Sequence, residues 1–254
     1  MTRHIIIGDV HGMLDELASL IEKVDPGFDD TIIFVGDLVD KGPDSVGVVE
    51  FVRRLAESFN VVVVEGNHEE KHRRFRKNLE LRPATASTMA ENQPELMTIT
   101  EGLSPDNIAF LNSAVPFHRI KEHNVLIVHA GIPGDMIEFP ESVHEAQALG
   151  GKRKKKFGLI FRTRHIHRDT GKMLPMGSEN ADDPFWAEVH DGRFGHVVFG
   201  HQPFMNGPAE FPHATGIDTG AVFGGTLTAM ILGPNGTKSF ESVECRKMAE
   251  PMSC

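Results

Sequence analysis

The feature that most constrains the fold is a set of five short apolar runs, mostly β-branched, each bounded by glycine or polar residues. The runs cover residues 5–7, 31–35, 61–64, 125–128 and 196–199. Between the first three, residues 12–24 and 45–58 carry apolar side chains at helical spacing. Buried parallel strands that alternate with amphipathic helices have this pattern, because right-handed crossovers place the helices over the sheet. The sequence therefore predicts an α/β fold.

The regions between and after these runs predict further elements. Residues 73–121 have weaker periodicity and a helix start at Ser104, and we interpret them as an inserted helical cap. Residues 226–232 and 238–243 flank a Pro-Asn-Gly turn, which predicts a β-hairpin that closes a second sheet. The basic run of residues 152–156 is typical of a solvated loop, with steering of an anionic substrate as the alternative.

Composition and charge narrow the class of protein. The 254 residues are 40% hydrophobic and contain no linker-like stretch, so we expect one domain over residues 1–254. The formal net charge of −10 disfavours wholesale binding of nucleic acid, and no apolar run is long enough to cross a membrane. The first apolar run is too short for a signal peptide, and Cys245 and Cys254 make no disulfide framework. A cytoplasmic protein is expected.

Polar side chains follow each apolar run at the point where the strand ends. They are Asp9 and His11 after the first run, Asp37 after the second, Asn67 after the third, His129 after the fourth and His201 after the fifth. Ligand sites of open α/β sheets form beyond the carboxyl ends of the strands. Asp9 with His11 also fits an ordinary turn, and His129 or His201 alone fits a buried histidine. Their joint occurrence after five strands favours a metal site.

The chemistry of these six side chains indicates which metals they suit. Imidazole, carboxylate and amide groups without thiolate favour manganese, iron, zinc or cobalt. Six ligands are too many for one catalytic ion with an open position, and they suit two ions that share a carboxylate. Asp37, central in the sequence, is the expected bridge. Two such ions clamp a tetrahedral phosphorus and hold a hydroxide for attack, which predicts hydrolytic phosphoryl transfer.

Nearby residues are candidates for proton transfer and phosphate binding. His68 adjoins a ligand and could protonate the leaving group, with Asp40 as the carboxylate that orients it. Asp40 also fits a carboxylate at a helix N-terminus. Arg162 and Arg164 have the alternate spacing of a strand and could grip phosphate from one face, although a solvated edge strand is equally compatible. Lys41 is a further candidate cation.

Three blocks of the sequence resemble the signature motifs of the calcineurin-like metallophosphoesterases, in the phosphoprotein phosphatase branch. The blocks are Gly8-Asp9-Val10-His11-Gly12, Gly36-Asp37-Leu38-Val39-Asp40-Lys41-Gly42-Pro43 and Gly66-Asn67-His68-Glu69. The resemblance implies a four-layer α/β/β/α sandwich of two mixed sheets flanked by helices. It also implies one metal ion on Asp9, His11 and Asp37, a second on Asp37, Asn67, His129 and His201, and an acid pair of His68 and Asp40.

Within that branch, residues 129–133 and 217–229 look like those of bacterial symmetrical diadenosine tetraphosphatases and of the phosphatase domain of polynucleotide kinase-phosphatases. The block that contains Arg162 and Arg164 resembles the paired arginines of the former. At three positions the residue differs from the one that some group of these relatives usually has. Lys41 replaces the usual arginine, Asp40 follows the protein phosphatase pattern, and Pro203 stands where many nuclease relatives have a second histidine.

The leading hypothesis is a metal-dependent phosphoesterase that cleaves phosphoanhydride or phosphomonoester bonds. The first candidate substrate is a dinucleoside tetraphosphate, cleaved symmetrically, and the alternative is serine/threonine phosphoprotein. A non-catalytic phosphate-binding regulatory module is the competing class, but the presence of His68 beside a full ligand set disfavours it. A nuclease ranks third because of the acidic net charge.

Overall fold

The structure, a computed structural model, describes residues 2–250, so Cys254 and the last residues of the expected domain lie outside the described part. The strands are β1 (His4–Ile7), β2 (Thr31–Phe34), β3 (Asn60–Val63), β4 (His118–Ile120), β5 (Val125–Ile127), β6 (His196–Phe199), β7 (Ala209–Phe211), β8 (Ala214–Gly216), β9 (Thr226–Leu232) and β10 (Lys238–Glu244). The α-helices are α1 (Leu14–Val24), α2 (Ser45–Leu55), α3 (Asn67–Leu81), α4 (Pro83–Asn92), α5 (Glu95–Gly102), α6 (Pro105–Asn112), α7 (Val143–Ala148) and α8 (Gly151–Phe157).

The first sheet has the order β10-β9-β1-β2-β3, with β1, β2 and β3 parallel. Successive side chains of a strand point to opposite faces, and β1 is apolar on both. Ile5 and Ile7 pack among the residues of α1 and α2, whereas Ile6 packs against residues of the other sheet. The continuous apolar character of this strand is therefore explained by burial between a helical layer and a second sheet.

The second sheet has the order β4-β5-β6-β8-β7, with β5, β6 and β8 parallel. Ile127 and Val198 lie in the core between the two sheets, and Val128 and Phe199 belong to a separate core on the outer face with Trp186. Two mixed five-stranded sheets flanked by helices confirm the predicted sandwich. All five predicted strands are present. Three of them belong to the first sheet and two to the second.

The C-terminal hairpin forms as predicted, but its predicted place was wrong. Strands β9 and β10 pair antiparallel, and β9 then pairs antiparallel with β1 in the first sheet, with Ile6 opposite Met230. The prediction placed the hairpin in the second sheet. β1 carries β2 on one side only, so its other edge needs a partner, and the buried, mostly apolar β9 supplies one.

The middle region is helical, as the sequence predicts. Ser104 caps α6 by accepting a hydrogen bond from the Asn107 amide at 3.1 Å. Helix α6 packs on α2, and α4 and α5 pack on α3 around Phe75 and Leu96. Whether this region acts as a cap, and whether the chain is one domain, stay predictions.

The basic run does not form a loop. Residues 152–156 lie in helix α8, where all but the half-buried Lys156 are exposed. The prediction of a loop was wrong because this short helix rests on the buried Phe157 alone, which gives the sequence no helical period. Within residues 2–250, no helix is both long and apolar enough to span a membrane.

Candidate metal centre

The predicted ligand residues gather where the two sheets meet. Asp9 follows β1, Asp37 follows β2, Asn67 begins α3, His129 follows β5 and His201 follows β6. The first sheet thus supplies the carboxylates and the amide, and the second supplies two imidazoles. The carboxyl ends of the parallel strands bring together residues that are far apart in the chain, as expected for an α/β site.

The backbone at this rim is held in an unfavourable conformation. His11, Asp37, Asp40, Lys41 and His201 have positive φ values between 46° and 71°, which side-chain-bearing residues rarely adopt. They are five of the seven such non-glycine residues in the part of the chain that the structure describes. Left-handed residues cost about 1–3 kcal/mol each and cluster at functional sites.

Glycine is needed where the strands approach most closely. A Cβ atom on Gly66 would lie 2.2 Å from Oδ1 of Asp37, and one on Gly200 would lie 1.9 Å from Oδ1 of Asp9. These glycines precede the candidate ligands Asn67 and His201. The glycine residues therefore allow the carboxylates to pack against the chain that carries the other ligands.

Two overlapping groups of side chains have metal-binding geometry. One consists of His11, Asp37 and His68, the other of Asp37, His129 and His201. Within each group the candidate ligand atoms lie within 4.8 Å of one another. Oδ2 of Asp37 lies 3.6 Å from Nε2 of His11 and 3.4 Å from Nε2 of His129. Asp37 is common to both groups.

Hydrogen bonds to backbone carbonyls orient two of the candidate histidine ligands. Nδ1 of His11 donates to the Val39 carbonyl at 3.0 Å, and Nδ1 of His129 donates to the Val35 carbonyl at 2.9 Å. Such a bond fixes the tautomer and turns the Nε2 lone pair toward the centre. Nε2 of His201 is buried and has no hydrogen-bond partner among the described residues. An orphaned imidazole nitrogen beside carboxylates fits a divalent metal ion.

Burial and charge perturb these groups strongly. Burial, reinforced by Lys41, lowers the pKa of His11 to about 3, so its imidazole is neutral, as a metal ligand must be. Burial acts in the same direction on His129, but the Asp37 carboxylate outweighs it and raises the pKa to about 9. Negative charge beside His129 is therefore large enough to hold a cation at this position.

Asp9 and Asn67 lie at the centre, but neither belongs to the two groups of candidate ligands. The Asp9 carboxylate accepts hydrogen bonds from the backbone amide of His201 at 3.0 and 3.1 Å, and it belongs to neither ligand group. Burial, with Asp218 nearby, raises the pKa of Asp9 well above its ordinary value. Oδ1 of Asn67 lies 2.9 Å from Nε2 of His129. The structure thus brings all six predicted residues together, with Asp9 turned toward the backbone.

The predicted acid pair is in contact. Nδ1 of His68 donates to Oδ2 of Asp40 at 2.5 Å, while Nε2 of His68 lies 3.8 Å from Oδ2 of Asp37. Asp40 also accepts from Nε2 of the fully buried His72 at 2.7 Å and forms an ion pair with Lys71 at 2.7 Å. Burial would raise the pKa of Asp40, but the hydrogen bonds from His68 and His72 hold it well below its ordinary value.

Lys71 and His72 were not identified from the sequence. They lie three and four residues after His68, so α3 places them on the same face, and this spacing was the available signal. The partner that gives them a role, Asp40, is more than 30 residues away in the chain. Their contact with the acid pair is a property of the assembled fold.

Two further acidic residues at the centre were also missed. Glu69 is buried and accepts hydrogen bonds from the amides of Asp37, Leu38 and Gly66 at 2.7, 2.8 and 2.9 Å. Burial and the nearby Asp37 raise its pKa to about 7. Asp218 follows the buried β8 as the predicted ligands follow their strands, and it lines the cavity described below.

A cavity of about 1180 Å³ opens over the centre, lined by Asp37, Asn67, His68 and His201. All three predicted phosphate-binding cations line it. Nζ of Lys41 lies 2.9 Å from Nε2 of His11. Arg162 forms an ion pair with Glu70 at 2.6 Å, and Arg164 donates to the His201 carbonyl at 2.9 Å.

The strand predicted for the two arginines was wrong. A 3-10 turn covers Gly158–Phe161, and Arg162 and Arg164 follow it in irregular chain. The buried Thr163 between them donates from Oγ1 to the Leu159 carbonyl at 2.9 Å, which continues the turn and excludes an extended conformation there. Both arginines nevertheless reach the same cavity.

Comparison with solved structures agrees with this architecture. A crystal structure described as that of "a putative diadenosine tetraphosphatase" superposes with a TM-score of 0.69 at 28% identity, covering 96% of this chain and 94% of that one. The cold-active protein-tyrosine phosphatase of a Shewanella species superposes with a TM-score of 0.63 at 20% identity, covering 94% of this chain and 80% of that one. The second likeness concerns the fold alone.

Comparison of sequences gives the family. A bis(5'-nucleosyl)-tetraphosphatase PrpE of Bacillus mycoides, named as asymmetrical, is 31% identical over 240 residues, which cover 90% of this chain and 89% of the relative. The model of the calcineurin-like phosphoesterase family matches residues 2–205. The chain therefore belongs to the calcineurin-like phosphoesterases and is a hydrolase of that family.

Proposed function

We propose that this protein is a dinuclear metal-dependent phosphohydrolase that cleaves dinucleoside tetraphosphates asymmetrically, giving a nucleoside triphosphate and a nucleoside monophosphate. The proposal of a dinuclear centre rests on one observation, which is that Asp37 belongs to both candidate ligand groups. With His68 kept as the acid, the Asp37 carboxylate still lies between His11 on one side and His129 on the other, which suits two divalent ions a few ångströms apart. Manganese is the first ion to test, followed by iron, zinc and cobalt.

The side chains around the centre have separate roles in this proposal. Bound ions would supply an activated hydroxide and neutralise charge on the phosphoryl oxygens. Lys41, Arg162 and Arg164 bind the phosphate chain from the cavity wall. His68 holds a proton on Nε2 for the leaving oxygen, while its Nδ1 donates to Asp40. Asp40, fixed by Lys71 and His72, orients this imidazole toward the centre.

The substrate part of the proposal is supported by the relatives. Relatives that match this chain over nine-tenths of its length carry the name asymmetrical bis(5'-nucleosyl)-tetraphosphatase. That name favours asymmetrical cleavage over the symmetrical cleavage expected from the sequence motifs. The cavity volume of about 1180 Å³ also exceeds what a single phosphate group requires and accommodates a larger ligand. A cytoplasmic location fits this substrate.

The test is a product analysis with Mn²⁺-loaded protein. Diadenosine tetraphosphate should yield equal amounts of ATP and AMP, separated by anion-exchange chromatography. Two equivalents of ADP would refute asymmetrical cleavage, and turnover of phosphoserine peptides without turnover of the dinucleotide would favour a protein phosphatase. Absence of turnover of either substrate and of p-nitrophenyl phosphate would revive a non-catalytic module.

The dinuclear centre is tested separately by substitution. Asp37→Asn should lower turnover by about 100-fold or more, because metal-ion catalysis supplies several kcal/mol of transition-state stabilisation. The bound metal, measured by atomic emission, should fall from two equivalents. The matched control is Asp169→Asn, an exposed residue outside the cavity. Unchanged metal content in Asp37→Asn would contradict the proposed centre.

A further inference from the structure

A second, open groove lies beside the candidate site, between α3 and α4. Its volume is about 470 Å³. Arg74, Lys77 and Arg82 line it together with the apolar side chains of Leu81 and Met89. Cations beside an apolar wall suit a ligand with both a phosphate and a nucleobase.

The groove continues from the cavity over the metal centre. Arg74 lines both, and Lys71, one helical turn before it, lines the cavity and contacts Asp40. At a rise of 1.5 Å per residue, Arg74 lies about 10 Å along α3 from Asn67, and Asn78 lies about 16 Å from it. The two spaces therefore form one path along α3 that begins at the metal centre.

The cations of the groove, unlike Lys71, are not neutralised by the protein. Among residues 2–250, no acidic side chain lies within ion-pair distance of Arg74, Lys77 or Arg82. Unpaired cations in a chain of net charge −10 create a local positive region that attracts anions. Glu95 is the acidic residue of α5 among those that line the cavity.

The cavity lining that comes from the chain after α8 has a different character. It includes Met173 and Leu174, together with Arg164 and Glu179. This part of the lining offers apolar surface but no series of cations along one helix. A polyphosphate chain is therefore better accommodated along α3, and a nucleoside attached through one phosphate fits against Met173 and Leu174.

On the basis of the proposed function, we infer that the groove between α3 and α4 is the binding site for the distal nucleoside of the substrate. Lys71 and Arg74 contact the phosphates between the metal centre and the groove, and Lys77 and Arg82 contact those nearest the nucleoside. The base lies on Leu81 and Met89. This arrangement places the triphosphate half along α3 and the monophosphate half against Met173 and Leu174, which sets the direction of asymmetrical cleavage.

The experiment compares a long and a short substrate in groove variants of the Mn²⁺-loaded full chain. The variants are Leu81→Asp and the double variant Lys77→Gln with Arg82→Gln, all at exposed positions that a substitution does not unfold. For each, the ratio of kcat/KM for diadenosine tetraphosphate to kcat/KM for p-nitrophenyl phosphate should fall roughly fivefold to tenfold, through KM for the dinucleotide. The control Arg153→Ala removes an exposed cation on α8, and its ratio should equal that of the wild type.

A third substrate separates the base from the phosphates. Adenosine tetraphosphate lacks the distal nucleoside, so Leu81→Asp should raise KM less for it than for diadenosine tetraphosphate. Ratios within twofold of wild type in both groove variants, with the wild type active on the dinucleotide, would overturn the groove assignment alone. A wild-type protein that hydrolyses p-nitrophenyl phosphate but not diadenosine tetraphosphate would overturn the proposed substrate and the groove assignment with it.

Discussion

The buried carboxylate of Glu69 allows a quantitative test of how the metal centre is held. It accepts three backbone hydrogen bonds, two at Oε2 from the amides of Asp37 and Gly66 and one at Oε1 from Leu38. These bonds fix Asp37 in its left-handed conformation, with φ of 53°. Replacement by glutamine keeps the shape of the side chain but removes the charge and one acceptor.

The cost of Glu69→Gln follows from these contacts. If the amide oxygen replaces Oε2, the amide nitrogen faces the Leu38 N–H, which loses its partner. An orphaned buried donor costs about 1–3 kcal/mol, and the two remaining bonds weaken because they no longer involve a charged acceptor. Glutamine also removes the penalty for burying a charge, which the raised pKa of Glu69 reflects, so the two effects partly cancel and we expect the free energy of unfolding of the metal-free protein to fall by about 1 kcal/mol. The affinity for Mn²⁺ should fall roughly 10- to 100-fold, since the residue orients a ligand without being one.

The assay is urea denaturation together with calorimetric titration of Mn²⁺. Both are done at pH 8, above the raised pKa of Glu69 of about 7, so that the wild-type carboxylate is ionised. The control is Glu80→Gln, an exposed glutamate on the same helix, for which a change within about 0.5 kcal/mol is expected. An equally small change in Glu69→Gln, with wild-type affinity for Mn²⁺, would refute this account of the centre.

Two further predictions concern the acid pair and the N-terminal edge of the fold. His72→Leu removes one of the hydrogen bonds that fix Asp40, so kcat should fall about tenfold or more for an alkyl phosphate, whose leaving group needs a proton, and less for p-nitrophenyl phosphate. An equal loss on both substrates, measured at saturating Mn²⁺, would contradict this positioning role. Asp30 accepts hydrogen bonds from Arg3 and from the Gly27 amide, which outweigh burial and lower its pKa. Its contribution to stability is present above the unfolded pKa of about 3.9 and disappears as the pH falls through the lower folded value. Asp30→Asn should therefore cost about 2 kcal/mol at pH 7 and little at pH 2, measured by urea denaturation at both values; a cost that does not depend on pH would count against this explanation.

The sequence predicted the parts of the fold that local pattern determines. The strands that carry Asp9, Asp37 and His129 are runs of β-branched residues, and the cap at Ser104 is a local signal, so both could be recognised in isolation. The sheet to which β9 belongs could not, because its pairing with β1 joins residues more than 200 positions apart. The alternation of Arg162 and Arg164 was misleading, since a turn that places Thr163 inward has the same spacing of charged residues.

The candidate site was predictable to a similar degree. That the six candidate ligands lie together could be predicted from the residues that end the strands, because the chemistry of each side chain is visible in the sequence. The residues that contact Asp37 and Asp40 could not be identified from the sequence. Lys71, His72 and Glu69 interact with partners that only folding brings near. The motifs also do not determine the proposed mode of cleavage, which would depend on which part of the cavity holds which half of the substrate.

The hydrogen bond from His129 to the Val35 carbonyl joins a residue that follows a strand of one sheet to a residue that follows a strand of the other. Because the candidate ligands come from both sheets, neither sheet alone can assemble the centre. Metal affinity is then available only to the chain in which the two sheets have docked, so bound ions make their docking more cooperative. Amide protons of both sheets should gain protection together when Mn²⁺ is added, and the two halves of the sandwich would unfold as a single unit.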